Sequence, residues 1–242
     1  MVKSVNPNAL RRYRMVAEQI QGRGVHNRKV LDAMSRVARE VFVPRALQGA
    51  AYEDRPLPIG EGQTISQPYI VAAMTDALLL RGGENVLEVG TGSGYAAAIL
   101  AQIAGTVHTV ERIAVLSQRA RAILRKLGCR TVHVVEGDGT LGWPDAAPYD
   151  AIVVTAGGPR IPPSLVAQLK PGGRLVMPLG EGDLDQVLVR LTRRPGDVDR
   201  VERLEHVRFV PLIGAEGWSS GERTHIDHDA SPDGAAGRGV RD

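Results

Sequence analysis

Apolar residues recur along the chain at two different spacings, and the change falls near residue 85. Before it the spacing is helical. Val30, Leu31, Met34 and Val37 repeat on one face behind Asn27, a good capping residue, so a helix begins there and needs something to pack on. An earlier helix starts at Asn6-Pro7, with proline at the first helical position, and runs to about Gln21. Leu10, Met15 and Ile20 are among its apolar positions, and Arg11, Arg12 and Arg14 make a basic, solvated flank. Gly22 and Gly24 break it. After residue 85 the apolar residues come as short runs, at 86–89, 106–110, 131–135, 150–154 and 172–177, with helix formers at 95–101, 113–127 and near 164–169 between them. Continuous short runs are the pattern of strands buried on both faces. Their alternation with helices implies right-handed βαβ units, hence an α/β, doubly wound parallel sheet. Residues 184–193 and 198–209, joined by a turn around 194–197, read as a hairpin that adds antiparallel strands at an edge of that sheet or within it.

One stretch resists both spacings. Residues 52–68 hold prolines and glycines that exclude a regular element, yet Leu57, Ile59 and Ile65 suggest a loop pinned against the body. A helix over 70–80 follows, which puts Ser66 or Gln67 near its N-terminus. On spacing alone the plain reading of Ser66 is a helix cap.

The division expected is 1–80 for N-terminal helices and an active-site loop packed on a core, 81–218 for that core, and 219–242 for a disordered polar tail. Composition narrows the class. The 242 residues carry 43% hydrophobic content, enough for a sizeable core, and a formal charge of +3, too small to argue for nucleic acid. The single cysteine excludes an intrachain disulfide and a cysteine metal cluster. No metal site is expected, because the six histidines are scattered and His225 and His228 in the tail reflect chance composition. No apolar run is long enough to cross a bilayer, so a cytoplasmic protein free of membrane is expected; separately, a monomer is expected.

The chemistry sits where the first strand meets Gly90-Thr91-Gly92-Ser93-Gly94-Tyr95. Alternate glycines allow a sharp turn and a close ligand. A dinucleotide fingerprint wants a small sixth residue, and Tyr95 fits that poorly. Glu88 at the end of the strand would repel a pyrophosphate but suits a cation, which favours S-adenosylmethionine over NAD. Glu111 lies about 20 residues beyond the loop, where a carboxylate can accept both ribose hydroxyls. Asp138, with Gly139 beside it, can accept from an adenine amino group while a backbone N–H meets a ring nitrogen. Each has a plain alternative: Glu111 a surface glutamate opening a helix, Asp138 an Asx-turn. Three carboxylates on one strand edge point to a nucleoside ligand.

Phe42-Val43-Pro44, residues 57–60, Gly62-Gln63-Thr64-Ile65-Ser66-Gln67-Pro68, the glycine loop, Gly137-Asp138-Gly139, residues 149–152 and 169–175, and Phe209-Val210-Pro211-Leu212 together resemble the protein-L-isoaspartate (D-aspartate) O-methyltransferase family, from about Met15 to Trp218. The glycine loop and the Lys-Pro-Gly-Gly segment occur in many methyltransferases, whereas the Thr-Ile-Ser-Gln-Pro block is far more specific. The resemblance implies a mostly parallel, seven-stranded methyltransferase sheet with an N-terminal helical addition and a C-terminal antiparallel hairpin. It implies that Ser66 is the active-site hydroxyl and that Val210, Pro211 and Leu212 help hold the substrate. Thr64, Glu88, Gly90, Thr91, Gly92, Gly94, Glu111, Asp138 and Gly139 are placed around S-adenosylmethionine, with S-adenosylhomocysteine as product. The activity implied is methylation of the free carboxylate of L-isoaspartyl residues in damaged proteins, with D-aspartyl residues left open, the ester then closing to a succinimide. Two alternatives stand beside it: a methyltransferase acting on aspartate of one dedicated protein, and a non-catalytic module that kept the fold. An Asn/Asp-Pro-Pro-Tyr segment, frequent in amino-methylating nucleic-acid enzymes, is missing after residues 151–154.

Overall fold

In the computed structural model, which describes residues 7–180, 185–194, 196 and 198–219, Asn27 caps its helix by accepting from the Lys29 amide at 3.1 Å. Helix α2 (Arg28–Arg36) buries Val30, Leu31 and Met34, and the chain turns extended at Val37. Before it, α1 (Pro7–Arg14) buries nothing, and Leu10 is 47% exposed. The Asn6 cap lies outside the described residues. The helical run expected to about Gln21 is not all α: Met15–Ile20 is π-helical and Gln21–Arg23 a 3₁₀ turn. Bonding from i to i+5 brings Met15 and Ile20 to one inward side, and both are fully buried.

The stretch read as irregular contains a hairpin. Strands β1 (Leu57–Gly60) and β2 (Gln63–Ile65) pair antiparallel, Leu57 opposite Ile65, with an irregularity between Pro58 and Gly60. Pro58 and Gly60 face solvent while Leu57, Ile59 and Ile65 are buried, so the breakers fall on the outer side and at the turn. Helix α3 (Pro68–Ala77) follows with proline at its first position.

The main sheet has seven strands in the order β5-β4-β3-β6-β7-β8-β9: β3 (Asn85–Val89), β4 (Thr106–Glu111), β5 (Val132–Glu136), β6 (Tyr149–Val154), β7 (Leu169–Leu179), β8 (Gln186–Thr192) and β9 (Arg200–Val207). The first five run parallel, and β8 and β9 extend the β7 edge antiparallel rather than inserting into the sheet. Crossover helices are α4 (Tyr95–Leu100), α5 (Ala114–Lys126) and α6 (Pro163–Ala167).

Neighbouring residues of the central strands enter different core clusters. Val86, Ala151 and Val153 pack with Met15, Met34, Phe42, Leu57 and Tyr95, whereas Leu87, Ile152 and Val154 pack with Leu165, Met177 and Leu212. Both faces are therefore covered, which is why the strands read as unbroken apolar runs. The N-terminal helices cover the first face and share its core with the sheet. The tail from residue 220 lies outside the described residues.

Candidate active site

A cleft of about 1130 Å³, counted out to its open mouth, lies beyond the carboxyl ends of β3, β4 and β6, where ligands of doubly wound sheets sit. The glycine loop is its floor. Gly90 has φ +95°, and a Cβ there would meet Thr155 Oγ1 at 2.4 Å. That hydroxyl donates to Gly90 O at 2.8 Å and tethers the loop to the end of β6. Thr91 and Gly92 also line the cleft, whereas Gly94 lies behind it, against Ala120 and Leu124 of α5. Gly94 thus serves close helix–loop packing and is the one loop glycine outside the lining.

Glu111 ends β4 and is 5% exposed. Its Oε2 accepts from the Gly92 amide at 2.8 Å and its Oε1 from the Ile113 amide at 2.9 Å, so the carboxylate is fixed with further lone pairs facing the cleft. Glu88 is penultimate in β3 and fully buried, opposite Thr109 in the β3–β4 register. Thr109 Oγ1 donates to Glu88 Oε2 at 2.5 Å, and Thr91 Oγ1 lies 2.6 Å from Thr109 Oγ1. Glu88 Oε1 is buried with no partner among the described residues. Burial pushes the Glu88 carboxyl up to about 8, against the Thr109 bond and with the nearby Glu111 charge adding to it.

Asp138 is not among the residues that line the cleft, although its neighbour Gly139 is. Oδ1 accepts from the Thr140 amide at 2.9 Å, the Asx-turn geometry, and from the Thr140 hydroxyl, while Oδ2 accepts from the Ala215 amide at 2.7 Å. Burial opposes its ionisation, but the Ala215 and Thr140 bonds outweigh it and hold the carboxyl below its ordinary range. Gly139, next to it, lines the cleft so closely against Val89 that a Cβ would lie 2.5 Å from Val89 Cγ1.

Residues 209–218 form a strap along the opposite wall. Val210 O accepts from the Gly157 amide and the Leu212 amide donates to Gly157 O, both at 2.8 Å. Trp218 Nε1 donates to the same carbonyl at 3.0 Å. The Glu216 carboxylate accepts from the Ser164 amide and hydroxyl. Val210, Pro211 and Leu212 therefore face the cleft on a fixed backbone.

Ser66 and Thr64 line the cleft from the hairpin side. The cap reading of Ser66 does not survive: the N-cap of α3 is Gln67, which makes no side-chain cap bond and instead donates from Nε2 to Asp54 O at 3.0 Å. Proline at the first helical position pushes the preceding residue extended and moves the boundary by one. Ser66 is held through its backbone. Arg39 is fully buried, and its Nη1 donates to Ser66 O at 2.9 Å, its Nε to Ala51 O at 2.7 Å and its Nη2 to Arg55 O at 3.3 Å.

Arg39, Thr109 and Thr155 were not singled out from sequence. The available signal was a polar residue inside an apolar run, in residues 37–44 for Arg39 and 107–110 for Thr109. Thr155, just past the 150–154 run, carried none.

Comparison with known proteins gives the family. Residues 11–217 match the family model described as Protein-L-isoaspartate(D-aspartate) O-methyltransferase (PCMT). A protein-L-isoaspartate O-methyltransferase 1 of Rhodopseudomonas palustris (strain HaA2) is 62% identical over 212 residues, covering 88% of this chain and 86% of the relative. A protein-L-isoaspartate O-methyltransferase 2 of Pelobacter propionicus is 56% identical over 215 residues, 89% of this chain and 96% of the relative. A solved protein-L-isoaspartate O-methyltransferase superposes with a TM-score of 0.77 at 28% identity, over 85% of this chain and 67% of that one. A putative enzyme of that name from Plasmodium falciparum, solved with S-adenosyl-L-homocysteine, shares the fold with a TM-score of 0.70 at 24% identity, over 86% of this chain and 99% of that one. The chain belongs to the protein-L-isoaspartate(D-aspartate) O-methyltransferase family.

Proposed function

We propose that the cleft is where this S-adenosylmethionine-dependent protein-L-isoaspartate O-methyltransferase joins its two substrates, with Ser66 holding the carboxylate to be methylated. The observation that carries the assignment is the Ser66 hydroxyl. It makes no hydrogen bond within the described residues, caps no helix, and lines the same cleft as Glu88 and Glu111.

The residues present fit the cofactor. Glu111 offers acceptors to ribose hydroxyls, Glu88 a buried carboxylate oxygen to a cation, and the Gly139 backbone, with Asp138 next to it in the chain, faces the adenine edge. S-adenosylmethionine supplies a methyl group made electrophilic by its sulfonium. The chain's own task is alignment. A free carboxyl has an unperturbed pKa near ~4, so the acceptor is ionised at neutral pH and needs no general base. Ser66 donates a hydrogen bond to it, the strap backbone at Val210, Pro211 and Leu212 holds the peptide, and Ile65, Val71 and Met74 keep water from the reacting oxygen. The ester then closes to a succinimide, which opens partly to normal aspartate. The same reading takes the partners to be isoaspartyl proteins and peptides rather than nucleic acid, and the enzyme to be a cytoplasmic monomer; no helix of the described residues is long and apolar enough to cross a membrane.

Turnover of an isoaspartyl peptide beside its normal-aspartyl twin tests the activity, and Ser66→Ala tests the assignment. Losing one charge-assisted hydrogen bond of ~2–3 kcal/mol lowers turnover by roughly 30- to 150-fold. Thermal stability and cofactor affinity should barely move, and Ser66→Thr, which keeps a crowded hydroxyl, should fall between. Near-normal turnover in folded Ser66→Ala would remove Ser66 from the mechanism.

A further inference from the structure

Resting on the cofactor reading above, we propose that Glu88 is protonated when the cleft holds no cofactor and gives up that proton as the cofactor's positive charge arrives, so that cofactor capture and proton release are one step. The geometry is specific. Glu88 lines the cleft yet is 0% exposed; one carboxyl oxygen is committed to Thr109, and the other lies buried with no partner among the described residues. A buried carboxylate with an unanswered oxygen is costly, and protonation removes that cost.

Among the described residues the surroundings offer no cation to do it instead. From β4, Thr109 is neutral and Glu111 is a like charge. From the glycine loop, Thr91 is neutral and reaches Glu88 only through Thr109. The β6 side presents Val153 and Thr155, and α3 presents Val71, Met74 and Thr75. Tyr95 of α4 lines the cleft with its phenol pushed up to about 12 by burial, hence neutral. Arg112 also lines the cleft, but it is exposed and adds nothing appreciable to the charge felt by Glu88. The balance is simple: the Glu88 O–H bond breaks, its electron pair stays on the carboxylate, the proton leaves to buffer, and the carboxylate pairs with the bound cation.

Burial, with the Glu111 charge adding to it and the Thr109 bond opposing it, places the Glu88 carboxyl at about 8, so at pH 7 the empty site is mostly protonated and the linkage falls in the physiological range. The experiment is calorimetric titration of the whole chain with S-adenosylmethionine, without peptide, in buffers of different ionisation enthalpy. Glu88→Gln serves as the reference that carries the ligand's own proton exchange. The expected result is release of about one proton at pH 7 that is lost in Glu88→Gln, with wild-type affinity rising roughly tenfold per pH unit from 6 to 7.5. Binding without proton release, or equal release in Glu88→Gln, would overturn the proposal while leaving the cofactor reading intact. No binding at all would sink both. Should Glu88→Gln fail to fold, infrared difference spectra of the wild-type protein decide. The protonated-carboxyl stretch should vanish on binding, and its absence from the empty protein would overturn the idea.

Discussion

Arg39 shows how a single residue can govern a site it does not line. Its guanidinium is fully buried and answered by three backbone carbonyls, with the Tyr95 ring 5.4 Å away. Burial pulls its pKa down, and nearby groups led by Tyr95 and Tyr52 only partly offset this. A planar fork reaches three acceptors at fixed angles, and an ammonium does not. Arg39→Lys should therefore lower stability by about 2–4 kcal/mol in urea unfolding, leaving at least one buried carbonyl unanswered. Unchanged unfolding would mean those carbonyls find other partners. His108 gives a second outcome at this scale. It stacks on His133 with ring centroids 5.0 Å apart, and burial, then the His133 charge, pushes its pKa down. A base with a lowered folded pKa binds its proton less readily folded than unfolded. Its contribution to stability is thus complete above about pH 6.5 and is lost as pH falls from there through the folded pKa. Melting temperature should decline on that acid side in the wild type and decline less in His108→Gln.

Among the elements, those whose signal is local were legible in sequence. Strands β3, β4 and β6 are buried on both faces and show as apolar runs, and the glycines after β3 mark the turn that lines the cleft. The β1–β2 hairpin was not legible. Its strands are only four and three residues long, and Pro58, Gly60 and Gly62 outweigh the period of Leu57 and Ile59 in so short a window. Its place is fixed by a distant contact, Arg119 Nη1 donating to Ile59 O at 2.9 Å. The role proposed for Ser66 came from a motif rather than from spacing, which pointed to a cap that the geometry assigns to Gln67. The glycine loop yields a firmer test. Gly90→Ala combines a positive φ with a methyl 2.4 Å from Thr155 Oγ1. Stability should drop by about 2–4 kcal/mol, from left-handed strain plus overpacking, with cofactor affinity falling further than that of an Ala substitution at exposed Gly128. Equal affinities in the two variants would show that the loop tolerates displacement.

For the whole molecule, we propose that the N-terminal layer of residues 1–80 and the sheet unit of 81–218 unfold as one. Met15, Met34, Phe42 and Leu57 share a core with Val86, Val107 and Val176, so neither part buries that face alone. Calorimetry should give a single transition with matching calorimetric and van't Hoff enthalpies, and two resolved transitions would separate the layers. The strap has a consequence in time. The cleft takes Thr64 and Ser66 from ahead of the main sheet and Val210, Pro211 and Leu212 from after its last strand, with the strap knotted to Asp138, Thr140, Gly157 and Ser164 between them. A chain growing on a ribosome therefore has its glycine loop and carboxylates long before the wall proposed to hold the peptide exists. Nascent copies stalled short of residue 209 should remain silent toward isoaspartyl peptides, so that repair by a new copy waits for the strap to be made.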